Sequence, residues 1–573
     1  MKIKDNLSNS YLRGMKNFDK KTTVWIAKHS KPQLVNIILI AVVYAILAYI
    51  GVLTAQLARG IVDSAAYDHD AGKVVFFSVL LISVTLFQVL LNIVSRIVSF
   101  NASAKLEISI KSHLFETILK KDYSKITKFH TGELMNRLTS DIQVILGAIL
   151  SILPNLTYFI VKLVGIFIVL FAIDWRFALV FVIGGAVILF IMLLFKGTLK
   201  NLHKKAQETD GKVRSFMQES LSSLLVIRVF NKYKRISNEA EKLQWDNFRI
   251  KRKRNYISIA STMGFSVIFV CAYIYGLIWG SFQILGGVIT YGVLTEILSL
   301  VSQISTPIQG LTSILPQYYQ ALASAERIME IEEFPDEHIE EMNTSIDLKE
   351  LYDNLSSIEF KNITFSYDRD IVLYDTSLSI KKGEFIVITG ISGIGKSTLT
   401  KLLLDVFPVD KGEIYLEQND GSRVVVDKNV RGMFAYVPQG NFLLSGTIRD
   451  NISFVRPEAS DEEIMRAAEI ACADFIDELP EGLDTVLGEK GTGLSEGQIQ
   501  RVAIARAILC DASIIILDEA TSALDEKTEL KLLENIEKLK NKTCILISHK
   551  KAAYKVCGKE VRIEDKKIIV KDL

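Results

Sequence analysis

The sequence predicts a multidomain membrane protein in which an all-α domain of six spanning helices precedes a soluble α/β domain. The mean hydropathy of the 573 residues is +0.27, and the apolar residues gather in long runs before residue 325. After residue 356 the pattern changes to short β-branched runs that alternate with amphipathic segments, which is typical of an α/β domain. A glycine-rich loop interrupts this second pattern at 390–398.

Six apolar runs are long enough to cross a bilayer, for which a helix needs about 20 residues. They lie at 34–58, 75–100, 149–172, 177–196, 258–282 and 289–313. A buried core helix is the competing interpretation, and the charge-free run FALVFVIGGAVILFIMLLF makes it unfavourable. The expected organisation is a tail and elbow at 1–32, a transmembrane domain at 33–325, a linker at 326–355 and the α/β domain at 356–573.

Basic residues predict the orientation of the chain in the membrane. The N-terminal tail is rich in lysine, and the second of two long polar connections, 101–148 and 197–257, ends in KRKR. The short connections carry only Lys73 and Arg176. The positive-inside rule therefore places both termini and both long connections in the cytosol. We expect a multi-pass protein of the cytoplasmic (inner or plasma) membrane, and the richness in Lys and Ile without a signal peptide is typical of a bacterial protein.

Several polar side chains fall inside the expected spans, where ionisable groups usually face a bundle interior or a water-filled cavity. They are Gln88, Asn92, Arg96, Lys162, Glu296, Gln303 and Gln309. Each of them lines a substrate pathway, packs between helices or reaches the interface by snorkelling, and the sequence leaves these alternatives open.

The stretch FIVITGISGIGKSTLTKLLL at 385–404 places the glycine-rich loop between a β-branched strand and a helix. This is the context that a phosphate-binding P-loop requires. The glycines let backbone N–H groups wrap phosphates, and the helix N-terminus adds positive potential. In this pattern Lys396 reaches the β- and γ-phosphates of a nucleotide, and the Ser397 hydroxyl ligates Mg²⁺. The other expected contacts of the loop are Gly390, Ser392, Gly393, Gly395 and Thr398.

A second motif follows the P-loop downstream, where the apolar strand SIIIL ends in Asp518 and Glu519. Asp518 fits the role of a Mg²⁺ partner. Glu519 is expected to hold the attacking water as the catalytic base. A strand that ends in acidic residues is common by itself. When it follows a P-loop in the same chain, it indicates a P-loop NTPase domain.

With these motifs, residues 356–573 resemble the nucleotide-binding domain of ATP-binding cassette (ABC) proteins, and the whole chain resembles an ABC exporter half-transporter. Five further motifs occur in the order typical of the family. They are Tyr367 in ITFSYDRD, Gln439 in YVPQG, the signature LSEGQ at 494–498, the D-loop SALD at 522–525 and His549 in ILISHK.

The resemblance implies a role for each of these positions. Tyr367 would stack on adenine, Gln439 would sense Mg²⁺ and face the membrane domain, and His549 would contact the γ-phosphate as a catalytic residue. On the same ground the ATP-binding residues include Ser495, Gly497, Gln498 and Asp525.

The resemblance also implies a dimer that binds ATP and Mg²⁺ between the P-loop of one chain and the signature of the other. The cytosolic turns near Asp122–Lys125 and Glu219–Leu224 would be the coupling helices that pass motion to the membrane domain. The partner is expected to be a second copy of the chain or else a homologous half-transporter. Membrane lipids and an unidentified exported substrate are the other expected partners, and nucleic acid is not among them.

The signature departs from the usual LSGGQ of the family at Glu496. A carboxylate aimed at the phosphate would weaken binding through like charge, whereas an outward side chain would cost little. The sequence leaves that direction open. Because Ser495 and Gly497 are kept, a homodimer with two working sites is favoured over a heterodimer with one degenerate site.

The expected function is ATP-driven export of a lipophilic, drug-like or peptide substrate by alternating access. A lipid flippase is one alternative, with the same ATPase and a different substrate. An ATP-gated membrane sensor or regulator without net transport is the alternative from another class.

Overall fold

A computed structural model shows that the chain divides into two compact units. Unit 1 comprises Met1–Leu119 and His130–Glu333, and unit 2 comprises Lys120–Phe129 and Phe334–Leu573. The structure describes residues 20–176, 198, 201–202, 205–337, 347–367, 370–440, 443–488, 491–539 and 541–573.

The secondary-structure elements of unit 1 are all helices among its described residues. Its helices are a lead-in helix at 20–30, α1 at Leu34–Ala66, α2 at Ala71–Lys120, α4 at Thr131–Asn136, α5 at Ile142–Ile173, a helix at 205–222, α6 at Leu224–Val229, α7 at Tyr233–Leu285 and α8 at Tyr291–Glu332. The short helix α3, at Tyr123–Ile126 between α2 and α4, belongs to unit 2. A π-turn at Arg137–Asp141 joins α4 to α5.

Among the described residues, four helices are long and apolar enough to cross a membrane, and they coincide with four of the six expected spans. They are Lys20–Ala66, Ala71–Lys120, Thr131–Ile173 and Val267–Leu285. The expected span at 177–196 lies outside the described residues. The expected span at 289–313 lies in α8, which is not among these four helices and in which Glu296, Gln303 and Gln309 interrupt the apolar run.

Two segments lie across the expected domain boundaries. Helix α8 runs on to Glu332, so the expected linker at 326–355 begins inside a helix. The buried apolar positions Ala325, Ile328 and Ile331 explain this, because their helical spacing continues the packed face of α8. The segment Lys120–Phe129, which was expected in the membrane domain, belongs to unit 2.

Unit 2 combines sheets and helices. Its elements are α9 at Leu348–Asp353, β1 at Leu355–Tyr367, β2 at Asp370–Lys381, β3 at Phe385–Thr389, α10 at Lys396–Leu403, β4 at Lys411–Gln418, β5 at Arg423–Val425, β6 at Phe434–Val437, β7 at Gly446–Thr447, α11 at Ile448–Ile452, α12 at Asp461–Ile470, β8 at Val486–Leu487, α13 at Glu496–Leu509, β9 at Ile514–Asp518, α14 at Glu526–Glu537, β10 at Thr543–Ile547, α15 at Lys551–Val556, β11 at Lys559–Glu564 and β12 at Lys567–Asp572.

The main sheet of unit 2 has the strand order β12-β11-β3-β10-β9-β6, and a four-stranded antiparallel sheet has the order β2-β1-β4-β5. In the main sheet the neighbours from β11 to β6 all run parallel, and β12 is an antiparallel edge. Strands β9 and β10 are buried at every position. Such continuous apolar runs are typical of parallel strands that are covered on both faces.

The strand order positions the candidate site. The carboxyl ends of parallel strands meet at one edge of a sheet, and ligands of α/β domains bind outside that edge. The adjacent strands β3, β10, β9 and β6 lead directly into the P-loop, His549, Glu519 and Gln439. Motifs that are far apart in the chain therefore converge at one edge.

Candidate functional site

The P-loop connects β3 to α10 and depends on backbone conformations that glycine tolerates. Gly390 has a φ of +142° and Gly395 has a φ of +112°. A Cβ atom on Gly390 would lie 2.8 Å from the carbonyl oxygen of Ile563. A side chain at this position would therefore both strain the backbone and collide with β11. The loop keeps a close backbone turn directly before the N-terminus of α10, as a phosphate cradle requires.

Lys396 crosses the P-loop rather than extending into solvent. Its side chain is only 5% exposed. The Nζ atom donates hydrogen bonds to the carbonyl oxygens of Gly390 at 2.8 Å and Ile391 at 3.3 Å. The ammonium group is thus held at the loop, where it can neutralise phosphate charge.

Asp518 lies beside the P-loop serine at the end of β9. The Ser397 hydroxyl donates to Asp518 Oδ1 at 3.0 Å, and the Tyr436 hydroxyl donates to Asp518 Oδ2 at 3.1 Å. Asp518 is 1% exposed, and this burial raises the pKa of its carboxyl group, while the bonds from Ser397 and Tyr436 oppose the shift. Burial and the Asp518 carboxylate also raise the pKa of Tyr436.

These contacts fit a magnesium site. Ser397 and Asp518 bring a hydroxyl and a carboxylate together, and oxygen atoms are the ligands that Mg²⁺ prefers. The sequence analysis did not identify Tyr436 as a partner of Asp518. The available signal was a tyrosine near the end of β6, because β6 pairs with β9.

Glu519 follows Asp518 in a conformation that is unusual for a non-glycine residue. Its φ is +49°, and its backbone N–H donates to the carbonyl oxygen of Ile547 at 3.1 Å. Its Oε2 atom accepts a hydrogen bond from the Gln439 side-chain amide at 2.6 Å. The exposed His549 stands two residues after Ile547 on the neighbouring strand end. Strained backbone of this kind occurs mostly at functional sites.

The signature loop forms the N-terminus of α13. The Ser495 hydroxyl accepts from the Gln498 N–H at 3.3 Å, and the Gln498 side chain accepts from the Ser495 N–H at 2.8 Å. This reciprocal capping box makes Glu496 the first helical residue, and its side chain is exposed. A carboxylate there stabilises the helix dipole by about 0.3–1 kcal/mol. It also lowers the positive potential that the helix N-terminus offers to an anion.

The D-loop packs against the signature helix of the same chain. The Gln500 amide donates to the Ser522 hydroxyl at 2.9 Å and accepts from the Ala523 N–H at 3.0 Å. A Cβ atom on Gly497 would lie 3.1 Å from the carbonyl oxygen of Ala523. Gly497 therefore allows a close approach that a larger residue would widen. Gln500 was not among the predicted site residues, and its only signal in the sequence is its position two residues after the signature.

Lys550, the residue after His549, also forms hydrogen bonds with the D-loop. The Lys550 ammonium donates to the carbonyl oxygens of Thr521 at 2.7 Å and Leu524 at 2.6 Å. Asp525 ends the D-loop by capping α14, where it accepts from the Thr528 N–H at 3.0 Å. This bonding with Thr528 lowers the pKa of Asp525. The D-loop is thus tied both to α13 and to the loop that carries His549.

Aromatic rings surround Tyr367, the residue that is predicted to stack on adenine. The Tyr367 ring lies 5.4 Å from the Phe407 ring, and its hydroxyl accepts from the Thr398 hydroxyl at 3.4 Å. The Tyr123 ring of α3 lies 6.1 Å from the same Phe407 ring. Asp122 caps α3 by accepting from the Ser124 N–H at 2.7 Å. The first expected coupling turn is therefore a short capped helix that packs within unit 2.

Comparison with known proteins identifies the family of this chain. Residues 34–308 match the family model described as ABC transporter transmembrane region, and residues 373–522 match the model described as ABC transporter. An ATP-dependent lipid A-core flippase of Syntrophus aciditrophicus is 31% identical, over 87% of this chain and 83% of the relative. A flippase of the same description from Escherichia coli K12 is 28% identical to this chain. That match covers 90% of this chain and 88% of the relative.

A solved structure has the same fold. It is described as the structure of a bacterial Atm1-family ABC exporter with ATP bound. The match has a TM-score of 0.77 and 24% sequence identity, and it covers 93% of this chain and 94% of that chain.

Proposed function

The chain belongs to the ABC transporter family, as a half-transporter with one transmembrane region and one nucleotide-binding domain, and we propose that it moves an anionic, lipid-like amphiphile across the cytoplasmic membrane. The expected family, fold class and transport-coupled ATPase activity are confirmed. The names of the flippase relatives favour the lipid alternative over a drug-like or peptide substrate. We therefore propose a lipid-like substrate.

The observation that carries the anionic part of the proposal is a buried lysine in α5. Lys162 is 8% exposed, and its Nζ atom donates to the Tyr158 hydroxyl at 3.0 Å. Both Lys162 Nζ and Gln303 Oε1 lie 3.3 Å from the point where a Cβ atom on Gly51 would sit. Helices α1, α5 and α8 thus meet around this ammonium group, and Gly51 leaves room for it.

No carboxylate forms an ion pair with Lys162 in the part of unit 1 that the structure describes. Glu296 of α8, another acidic residue of the expected spans, pairs with Arg59 of α1 at 3.1 Å. The expected span at 177–196 contains neither Asp nor Glu. A charge inside a membrane span is costly and usually functional. A negatively charged head group would compensate Lys162 during transport.

ATP hydrolysis by the residues of unit 2 would drive this transport. Bound Mg²⁺ neutralises phosphate charge, and cleavage of the terminal phosphate supplies the free energy of the cycle. Ser397 and Asp518 would hold the ion, and Lys396 would neutralise the phosphates. Glu519 would orient and deprotonate the attacking water, and its bond from Gln439 would hold its carboxylate in place. His549 would contact the terminal phosphate from the end of β10.

We also propose that the working form is a homodimer with two composite sites. Support comes from Ser495 and Gly497, which retain the hydroxyl and the backbone N–H of the signature. Glu496 is exposed in the first turn of α13, and the capping bonds of Ser495 and Gln498 are intact around it. In this proposal both termini lie in the cytosol, and α3 serves as a coupling helix.

The test is transport by the purified chain in vesicles that contain a trace of fluorescent lipid with either an anionic or a zwitterionic head group. We expect ATP-dependent movement of the anionic probe between leaflets. Lys162→Met should lower the transport rate of this probe about tenfold, and Lys162→Arg should retain most of it. ATP hydrolysis without movement of either probe would favour the sensor alternative. Equal transport of both probes by wild type and Lys162→Met would contradict the role of Lys162.

A further inference from the structure

We propose that His29, His113 and Glu332 form a binding site for a divalent transition-metal ion, with Zn²⁺ as the ion that fits best. The three residues come from three elements of unit 1, namely the lead-in helix, α2 and α8. One ligand atom of each lies within 4.8 Å of those of the other two. The site shares no residue with the nucleotide site or with the surroundings of Lys162.

The spacing of the ligand atoms is close to that of a metal site. The His113 Nε2 atom lies 3.5 Å from Glu332 Oε1, and the rings of His29 and His113 have centroids 5.6 Å apart. Zinc bonds of about 2.0–2.2 Å place tetrahedral ligand atoms about 3.4 Å apart. Side-chain rotations that move the ligand atoms by about 1 Å would close the site around an ion.

A second observation points to metal binding, because Trp25 orients two of the three ligands. The His29 Nδ1 atom lies 3.0 Å from the Trp25 carbonyl oxygen. A carbonyl oxygen only accepts hydrogen bonds, so this contact fits the neutral tautomer with the proton on Nδ1, in which Nε2 has the lone pair that binds a metal. Ligating histidines almost always have such a partner on the other ring nitrogen.

The carboxylate ligand is oriented in the same way. The Trp25 indole N–H donates to Glu332 Oε2 at 2.7 Å. This bond leaves Glu332 Oε1 as the oxygen on the side of His113. Trp25 itself is buried and packs its ring 4.0 Å from the ring of His29. Hydrogen bonds of this kind to ligating groups raise metal affinity typically 10- to 100-fold.

The donor set selects the class of ion. Two imidazole nitrogens and one carboxylate oxygen are a common zinc set, and they leave a fourth position for water. Mg²⁺ and Ca²⁺ prefer sites made of oxygen atoms, so this set disfavours them. His113 is exposed, so an ion can reach the cluster from solvent at the His113 ring.

A bound ion would fasten the lead-in helix to α2 and α8. Ions that bind the folded arrangement stabilise it by mass action. The alternative is that Trp25, His29 and His113 form only a packed ring cluster around the Glu332 carboxylate. The two alternatives differ in whether the protein takes up an ion with defined stoichiometry.

The test uses the full chain in detergent, without an affinity tag or nucleotide, after dialysis against a chelator. Titration with Co²⁺ should produce a visible absorption band that is typical of a cobalt ion with four or five ligands, and the band should saturate at one ion per chain. Addition of Zn²⁺ should abolish the band. His113→Ala and Glu332→Gln should each weaken binding at least about tenfold. His69→Ala, which removes a histidine outside the cluster, should bind like wild type.

Thermal unfolding provides an independent measurement. Zn²⁺ should raise the unfolding midpoint of the wild type and of His69→Ala but not that of His113→Ala. Retained ATPase activity of His113→Ala would show that this variant is folded. The proposal is overturned if the wild type takes up no more ion than His113→Ala, since the cluster would then serve packing alone.

Discussion

At the residue scale, two hydrogen-bonded pairs at the edge of the main sheet define the chemistry that unit 2 can perform. Ser397 contacts Asp518, and Gln439 contacts Glu519. Ser397 lies in the first turn of α10 and Gln439 lies just after β6, so each of these carboxylates is positioned by a residue far away in the chain. The acids at 518 and 519 are adjacent in sequence but serve different partners.

We expect Glu519→Gln to retain ATP binding and to lose hydrolysis. The amide keeps the size of the side chain and cannot take a proton from water, and loss of a general base typically costs about 10²- to 10⁴-fold in rate. Multiple-turnover phosphate release measures the effect, with nucleotide affinity as the control. Hydrolysis near the wild-type rate would refute the assignment of Glu519 as the base.

We expect Lys396→Ala to weaken ATP binding by about thirtyfold, because a hydrogen bond to a charged group contributes about 2 kcal/mol. The affinity for a fluorescent nucleotide analogue measures this change. Lys401→Ala removes a partly exposed lysine from the same helix and is the matched control. Unchanged affinity in Lys396→Ala would contradict the P-loop assignment.

At the element scale, capping boxes at helix N-termini recur in unit 2. Helices α11, α12 and α13 each begin with a capping box. In α12 the Ser460 hydroxyl accepts from the Glu463 N–H at 3.3 Å, and the Glu463 carboxylate accepts from the Ser460 N–H at 2.9 Å. The capping box of α12 stabilises the start of that helix. In the proposed function, the capping box of α13 also places residues that contact the nucleotide.

Glu496→Gly is expected to leave ATPase activity within about fivefold of wild type. The exposed carboxylate lies in the first turn of α13, where removal would strengthen the potential toward phosphate but weaken the helix start. Steady-state hydrolysis measures the balance of these two effects. A gain much larger than fivefold would mean that the carboxylate restrains the site.

Ser460→Ala is expected to destabilise the start of α12 by about 1 kcal/mol, which is the usual effect of losing an N-cap hydroxyl. Hydrogen exchange at the Glu463 amide should become roughly fivefold faster. ATPase activity should be unchanged, because α12 contributes no residue to the candidate site. Unchanged exchange would mean that packing rather than capping fixes this helix end.

At the scale of the whole molecule, one chain carries each kind of site residue once. The P-loop and the signature lie at different helix N-termini of unit 2, on α10 and α13. In the proposed homodimer the P-loop of each chain faces the signature of the other. This arrangement makes a prediction that single variants cannot test.

We expect Lys396→Ala and Ser495→Arg chains to be inactive when each is purified alone and partly active when they are co-expressed. The mixed dimer would contain one site with an intact P-loop and an intact signature. ATP hydrolysis by dimers isolated with two different tags measures this complementation. High activity of the wild-type chain without complementation would contradict composite sites, and an inactive wild-type chain would indicate a missing partner.

The sequence by itself determined the local features of this protein. Of the six predicted spans, four coincide with described helices that are long and apolar enough to cross a membrane. Such runs can be recognised in a sequence because a helix in lipid must satisfy its own backbone. The P-loop and the strand before Asp518 were also readable, because glycine positions and buried β-branched runs are properties of short segments. The family resemblance rested on motifs of this kind.

Only the tertiary structure decided which distant residues meet. The contact of Tyr436 with Asp518 depends on the pairing of β6 with β9, and the hold of Lys550 on the D-loop depends on two loops that converge. The surroundings of Lys162 and the cluster of His29, His113 and Glu332 likewise join separate helices. Such contacts follow from packing between elements, which the periodicity of one segment does not encode.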